Sequence, residues 1–175
     1  ELLSNDISKV SEGKAIYTLL CNPMGGVIDD LILYKLEGNF ILIVNASNKD
    51  KDLKWIKDNC ISNIEIEDIS NLTSLIAIQG PNSRIQIENI LGINLDIEFY
   101  RCKKVSYQNK DIFIARTGYT GELGFEFLGD SKIINKIWDI MISNNVTPVG
   151  LAVRDILRIE MGYCLYGHEI DENIN

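Results

Sequence analysis

The sequence holds one histidine, His168, in 175 residues. Acid–base work by a pair of histidines is therefore excluded, and a Ser-His-Asp or Cys-His site would have to use His168. No nucleophile motif accompanies it, so His168 reads as a loop histidine. There is no G-x-S-x-G elbow, no Walker loop, no G-x-G-x-x-G after a strand and no HExxH. The four cysteines, Cys21, Cys60, Cys102 and Cys164, lie dozens of residues apart without a CxxC. Zinc and iron–sulfur binding thus lack local support, no metal is expected, and reduced thiols are the simpler reading. No apolar run approaches the roughly 20 residues that span a bilayer; the longest, Phe40 to Val44, reads as a strand. No signal peptide is evident. The start, Glu1-Leu-Leu-Ser-Asn-Asp6, lacks an initiator Met and looks cut from a longer chain, so it says little about targeting. Positive charge is scarce: 17 Lys and Arg against 25 Asp and Glu, a net −8. That argues against nucleic acid and an anionic membrane as partners, but not against a small anion held by a few local Arg or Lys. Three N-x-S/T triplets, at Asn45, Asn71 and Asn145, read as accidents of an Asn-rich chain.

What is present is an ordinary globular composition, 46% hydrophobic and 24% charged. Ala15 to Cys21 reads as a buried strand. Val27 to Leu36 and Asn39 to Asn45 read as a hairpin turning at Glu37-Gly38. Asn48 to Cys60 reads as a helix with Asn48 as N-cap, Asp50 and Asp52 in its first turn, and Leu53 with Ile56 as its apolar stripe. The alternation from Ile64 to Ile69 predicts a half-exposed strand. Ser74 to Ile78 predicts a short buried strand, followed by a helix from about Pro81 to Leu91 that Gly92 stops. Phe99 to Tyr107 and Asp111 to Arg116 read as a second hairpin through Gln108-Asn109-Lys110. Phe125 to Leu128 is another strand. Ser131 to Ser143 is the clearest helix, with Ile133, Ile134, Ile137, Trp138 and Met141 on one face. Leu151 to Met161 is the last helix, and 163–175 is loop-like and acidic. Strands in hairpins with helices between them predict an α+β fold of antiparallel sheets. The lobes are expected at 1–69 and 70–175.

Carboxylates, tyrosines and glycines remain as carriers of chemistry. Asp29 and Asp30 sit in the apolar strand Val27 to Leu33, and adjacent strand residues face opposite sides. One carboxylate must face inward, where it is costly unless partnered, which makes one of the pair a site candidate; it could equally tether a turn from Gly25-Gly26. Tyr34 shares the face of Asp30, and an acid beside an aromatic can hold a flat heterocycle. Arg116 to Glu122 links two strands, with glycines suited to a close approach or a sharp turn. Glu126 follows; its carboxylate could take two N–H donors from a guanidine-like ring edge. Taken alone, the segment is a glycine-bearing hairpin loop. Arg154 and Arg158 are spaced i, i+4, so both could face one cleft and hold an anionic tail, or form surface ion pairs.

Seven stretches in order resemble the T-protein of the glycine cleavage system, an aminomethyltransferase family. They are Gly13 to Tyr17, Gly25 to Leu31, Val44 to Asn48 with Lys51-Asp-Leu53, Ala77 to Pro81, Arg116 to Glu126, Gly150 to Asp155, and Leu165 to Asp171. Together they span nearly the whole chain.

The resemblance implies a three-domain cloverleaf around a central folate. This chain would supply most of the two folate-lining domains and lack an N-terminal stretch and a C-terminal barrel-like domain. The family takes an aminomethyl group from the lipoyl arm of H-protein, releases ammonia and passes the one-carbon unit to tetrahydrofolate, giving 5,10-methylenetetrahydrofolate. By position, Asp30 matches the catalytic aspartate, whose work would be to steer a proton and stabilise a cationic iminium by charge. Tyr17, Tyr34, Tyr100, Tyr119 and Tyr163 match positions around the pterin and benzoyl rings, and Glu126 the pterin-edge carboxylate. Arg154 matches an arginine on the folate side, and Asn45 and Asn48 fall in the same wall. Leu123 stands where an acidic residue is common, and Val153 where a small one is. The same fold serves as the folate-binding module of demethylating oxidases and as a non-catalytic folate-binding protein of iron–sulfur assembly. The latter should carry a Lys-Gly-Cys-Tyr-type motif, where this chain has Met161-Gly-Tyr-Cys-Leu-Tyr-Gly-His168. The expected location is the cytoplasm of a bacterium or archaeon, or the mitochondrial matrix of a eukaryote.

Overall fold

The computed structural model describes residues 2–61 and 64–173. The parts of the N-terminal and loop readings that concern residues 1, 62–63 and 174–175 lie outside the described residues. The chain forms two compact units, Glu1–Asp68 with Cys164–Asn175, and Ile69–Tyr163. A division by sequence order at 69/70 leaves the tail with the second lobe; its contacts join it to the first. Lys51 explains why, since its ammonium donates to the Ile28 carbonyl at 2.6 Å and to the Tyr166 hydroxyl at 2.7 Å, and meets Glu172 at 3.3 Å.

In the first unit, β1 (Ala15–Cys21), β2 (Val27–Leu36) and β3 (Asn39–Ile43) form an antiparallel sheet in that order. The hairpin turn uses Gly38 at φ 77°. A bulge between Leu20 and Cys21 leaves Ile28 without a register partner, after which Asp29 stands opposite Leu20 and Asp30 opposite Leu19. β3 stops two residues before the expected Asn45, because the Asn45 N–H bonds the Asp29 carboxylate instead of continuing a ladder. Leu20, Ile28, Leu31 and Leu33 form the core, covered by α1 (Lys49–Asn59). Trp55, rather than Leu53, joins Ile56 against this core. Asn48, Asp52 and Ile56, four residues apart, therefore turn toward the sheet. The alternating segment 64–69 joins no strand, because alternation supplies no ladder partner.

In the second unit, β4 (Thr73–Gln79), β5 (Cys102–Tyr107), β6 (Lys110–Ala115) and β7 (Gly124–Asp130) form an antiparallel sheet ordered β4-β7-β6-β5. The β5–β6 turn is two residues, Gln108 and Asn109, at φ 50° and 61°, with Lys110 already paired to Tyr107. β5 begins at Cys102 rather than Phe99, because the chain turns at Tyr100 in the left-handed region, φ 55°. Phe125, Phe127, Ile78, Ile112 and Ile114 pack with Ile87 and Leu91 of α2 (Ser83–Leu91) and with Ile133, Ile134, Ile137 and Met141 of α3 (Ser131–Ser143). Gly92 ends α2 at φ 67°, and Asp130 caps α3 by accepting from the Lys132 N–H. Trp138 departs from the expected buried face and is 43% exposed. The last helix, α4 (Leu151–Glu160), precedes Gly162 at φ 71°.

Candidate functional site

Alternation along β2 sends its two adjacent carboxylates to opposite faces. Asp29 points inward and is fully buried. Asp30 is half-buried on the other face, with Tyr17 on the neighbouring strand. The Tyr17 hydroxyl donates to Asp30 Oδ2 at 3.0 Å, and Asn45 Nδ2 donates to Asp30 Oδ1 at 2.8 Å. Each Asp30 oxygen thus has its own donor, which fixes the plane of the carboxylate. Tyr34 lies on the same strand face but is only 6% exposed, so its ring offers little surface for stacking.

Two partners of this group, Asn48 and Asp52, also had an explanation at a helix start. Asn48 occupies the helix N-cap but makes no capping bond; its Nδ2 donates to Asp29 Oδ1 at 2.8 Å. Asn45 reaches Asp29 twice, through its backbone N–H to Oδ2 at 3.1 Å and its Nδ2 to Oδ1 at 2.9 Å. Asp52, in the first turn of α1, is 1% exposed. Burial first, and then the Asp29 carboxyl beside it, push its pKa up to about 8. Neither Asp52 oxygen meets an N–H or O–H donor among the described residues. Two adjacent carboxyls can bond only when one carries a proton, and at neutral pH Asp52 carries it.

The second unit gathers the other candidates. On β7, Glu126 stands opposite Ala77 and Ala115, on the face away from Phe125 and Phe127. The Thr117 hydroxyl donates to Glu126 Oε2. Tyr100 lies near Glu126 and Tyr163, and burial raises its phenol pKa, with those two neighbours adding to the shift. Tyr119 and Tyr163 stack, ring centroids 5.7 Å apart and planes 23° apart. The Arg154 guanidinium sits 4.4 Å over the Tyr119 ring. Arg158 does not share a cleft with Arg154. It is 3% exposed and bonds Asp155 Oδ1 at 2.7 Å and the Tyr163 carbonyl at 3.0 Å, so it positions Tyr163.

Gly118 and Gly124 of the 116–126 segment have a local cause. A Cβ on Gly118 would lie 2.1 Å from Gln79 Oε1, and one on Gly124 1.9 Å from it. Gln79 Nε2 donates to the carbonyls of Thr117, 3.2 Å, and Phe125, 3.4 Å. The close approach these glycines permit is to Gln79 at the end of β4. The loop is pinned further where Gly80 N–H and Ser83 Oγ both donate to the Leu123 carbonyl. Among the described residues, no cluster of three or more His, Cys, Asp or Glu is placed to hold a metal ion, and no helix is long and apolar enough to cross a membrane.

Comparison with known proteins gives a family. A model described as the GCVT N-terminal domain matches residues 1–175. The aminomethyltransferase of Halothermothrix orenii is 39% identical over 180 residues, taking in 99% of this chain and 50% of the relative. That of Chlorobium chlorochromatii is 42% identical over 183 residues, with 98% and 50% covered. The crystal structure of the glycine cleavage system aminomethyltransferase T from Bartonella henselae superposes with a TM-score of 0.84 at 30% identity, covering 98% of this chain and 47% of that one. The chain spans about half the length of the curated relatives it matches.

Proposed function

The chain belongs to the GCVT N-terminal domain family, and we propose that it is the folate-binding part of a glycine cleavage aminomethyltransferase, its two units being the two folate-binding lobes. The reaction would move a one-carbon unit from the aminomethylated lipoyl arm of H-protein to tetrahydrofolate, with release of ammonia. The observation that carries the reading is the family match over the whole chain together with a half-buried Asp30 held at both oxygens. The location proposed is the cytoplasm, or the mitochondrial matrix in a eukaryote.

The residues present suit a folate. A pterin edge offers N–H donors, which a carboxylate such as Glu126 accepts, with Thr117 holding one of its oxygens. Flat rings suit the Tyr119–Tyr163 pair and Tyr100. Arg154 brings a cation for an anionic tail. Tyr34 and Tyr17 line the Asp30 face of β2. Asn45, whose Nδ2 serves the two aspartates, offers a ligand its Oδ1 carbonyl as acceptor.

Tetrahydrofolate, when bound, supplies the nitrogens that accept the one-carbon unit. Asp30 sets a negative charge where positive charge develops and steers a proton there. Tyr17 and Asn45 hold that carboxylate in one orientation, so little reorganisation accompanies the reaction.

The test is a tetrahydrofolate titration of the whole polypeptide containing this chain, followed by assay with aminomethylated H-protein. Folate binding with formation of methylenetetrahydrofolate is the expected result. Absence of folate affinity overturns the reading, and affinity without transfer reduces the protein to a folate-binding module.

A further inference from the structure

Behind Asp30 lies a second carboxylate that the reaction described above does not use. Asp29 is fully buried in the first unit and accepts three hydrogen bonds from Asn45 and Asn48. Burying a carboxylate costs several kcal/mol unless it is well bonded, and replacing a whole buried polar cluster by apolar side chains of similar volume is often neutral or stabilising. Asp29 stands opposite Leu20 and shares its strand face with Leu31 and Leu33, so an apolar cluster in place of Asp29, Asn45 and Asn48 would extend the core. Stability alone does not account for an acid here.

Its connections do. Asn45 Nδ2 lies 2.9 Å from Asp29 Oδ1 and 2.8 Å from Asp30 Oδ1. The Asn45 backbone N–H is held by the other Asp29 oxygen, so main chain and side chain of Asn45 are anchored on one buried group. Asn48 fixes that group from the start of α1. Asp52 packs against it carrying a proton at neutral pH, which spares the pocket a second charge.

We propose that Asp29 is a positioning residue of the transfer site: it fixes the Asn45 amide, and through that amide the orientation of the Asp30 carboxylate. The inference rests on the role assigned to Asp30. Asp29→Asn would leave one acceptor oxygen where two serve now and set an NH2 group against a donor, so at least one of the bonds that anchor Asn45 is lost.

The experiment compares Asp29→Asn, Asn45→Ala and the double variant in the whole polypeptide. Asp29→Asn is expected to lower kcat about tenfold with KM for tetrahydrofolate within about twofold, the pattern of a misplaced reacting group. In the Asn45→Ala background, Asp29→Asn should lower kcat no further. Normal kcat in a folded Asp29→Asn enzyme overturns the proposal, as does a full additional loss in the Asn45→Ala background. Should Asp29→Asn fail to fold, Asn48→Ala withdraws one of the Asp29 donors without changing charge. It should lower kcat about threefold, and an unchanged kcat overturns the proposal. A wild-type polypeptide without transfer activity defeats the functional reading instead. The Asn45 side-chain amide then decides by NMR: protons that exchange slowly in the wild type should exchange fast in Asp29→Asn or Asn48→Ala, and continued protection overturns the positioning role.

Discussion

Tyr17 and Asp30 meet diagonally across the β1–β2 ladder. Tyr17 stands opposite Ile32 and Asp30 opposite Leu19, yet the Tyr17 hydroxyl reaches Asp30 Oδ2 at 3.0 Å. Diagonal neighbours on one sheet face are within reach of a long aromatic side chain. The bond leaves the carboxylate half-buried and oriented, which suits a group that must meet a ligand.

Asp30→Asn keeps the size of the side chain and removes its charge. Formation of methylenetetrahydrofolate in the whole polypeptide should fall by about 100-fold or more, with tetrahydrofolate affinity within about threefold. Near-normal turnover would remove Asp30 from the chemistry.

Glu126→Ala should act on binding instead. Losing a charge-assisted pair of hydrogen bonds is worth about 1.5–3 kcal/mol, so tetrahydrofolate affinity measured by calorimetry should drop roughly 10- to 100-fold. Unchanged affinity would exclude Glu126 as a folate ligand.

Asp52 ties stability to pH. Its folded-state pKa, about 8, lies above its value in an unfolded chain, about 3.9. Between those values the folded state holds a proton that the unfolded state has lost, so this group's contribution to stability falls as pH rises and levels off above 8. Asp52→Asn imitates the protonated form. Relative to wild type, the variant should gain about 1 kcal/mol per pH unit across that window, read from urea unfolding at pH 5 and 7.5. Parallel stability curves for the two proteins would show that Asp52 does not titrate in that range.

Gly124→Ala places a methyl 1.9 Å from Gln79 Oε1. It should cost about 1–3 kcal/mol by overpacking. Gln79→Ala should recover part of that loss in the double variant, because the obstruction is a side chain rather than backbone. Strict additivity of the two substitutions in thermal unfolding would refute this origin for the glycine.

The hairpins, the helices and the inward turn of one aspartate at 29–30 were readable because each follows from a short period or a turn residue. Asn48 and Asp52 were not. Both had a sufficient local explanation at a helix start, and only the sheet beneath α1 shows that they face Asp29. The glycine-bearing loop suited a close approach or a sharp turn, but the neighbour that requires Gly118 and Gly124, Gln79, lies some 40 residues away in sequence. The segment 64–69 misled because period-2 alternation also describes a chain lying on a surface without pairing.

The tail contacts set a consequence for how the chain is made. Val27 N–H bonds the Asp171 carbonyl at 2.9 Å, and Asn22 Nδ2 the Glu172 carbonyl across 150 residues of sequence. The second unit is thus nested inside the first along the chain. During synthesis, residues 69–163 emerge complete and can close on their own contacts, while the β1–β2 bulge still waits for its last partners. The unit begun first is finished last, so the maturation of the segment that carries Asp29 and Asp30 is timed by translation of everything between.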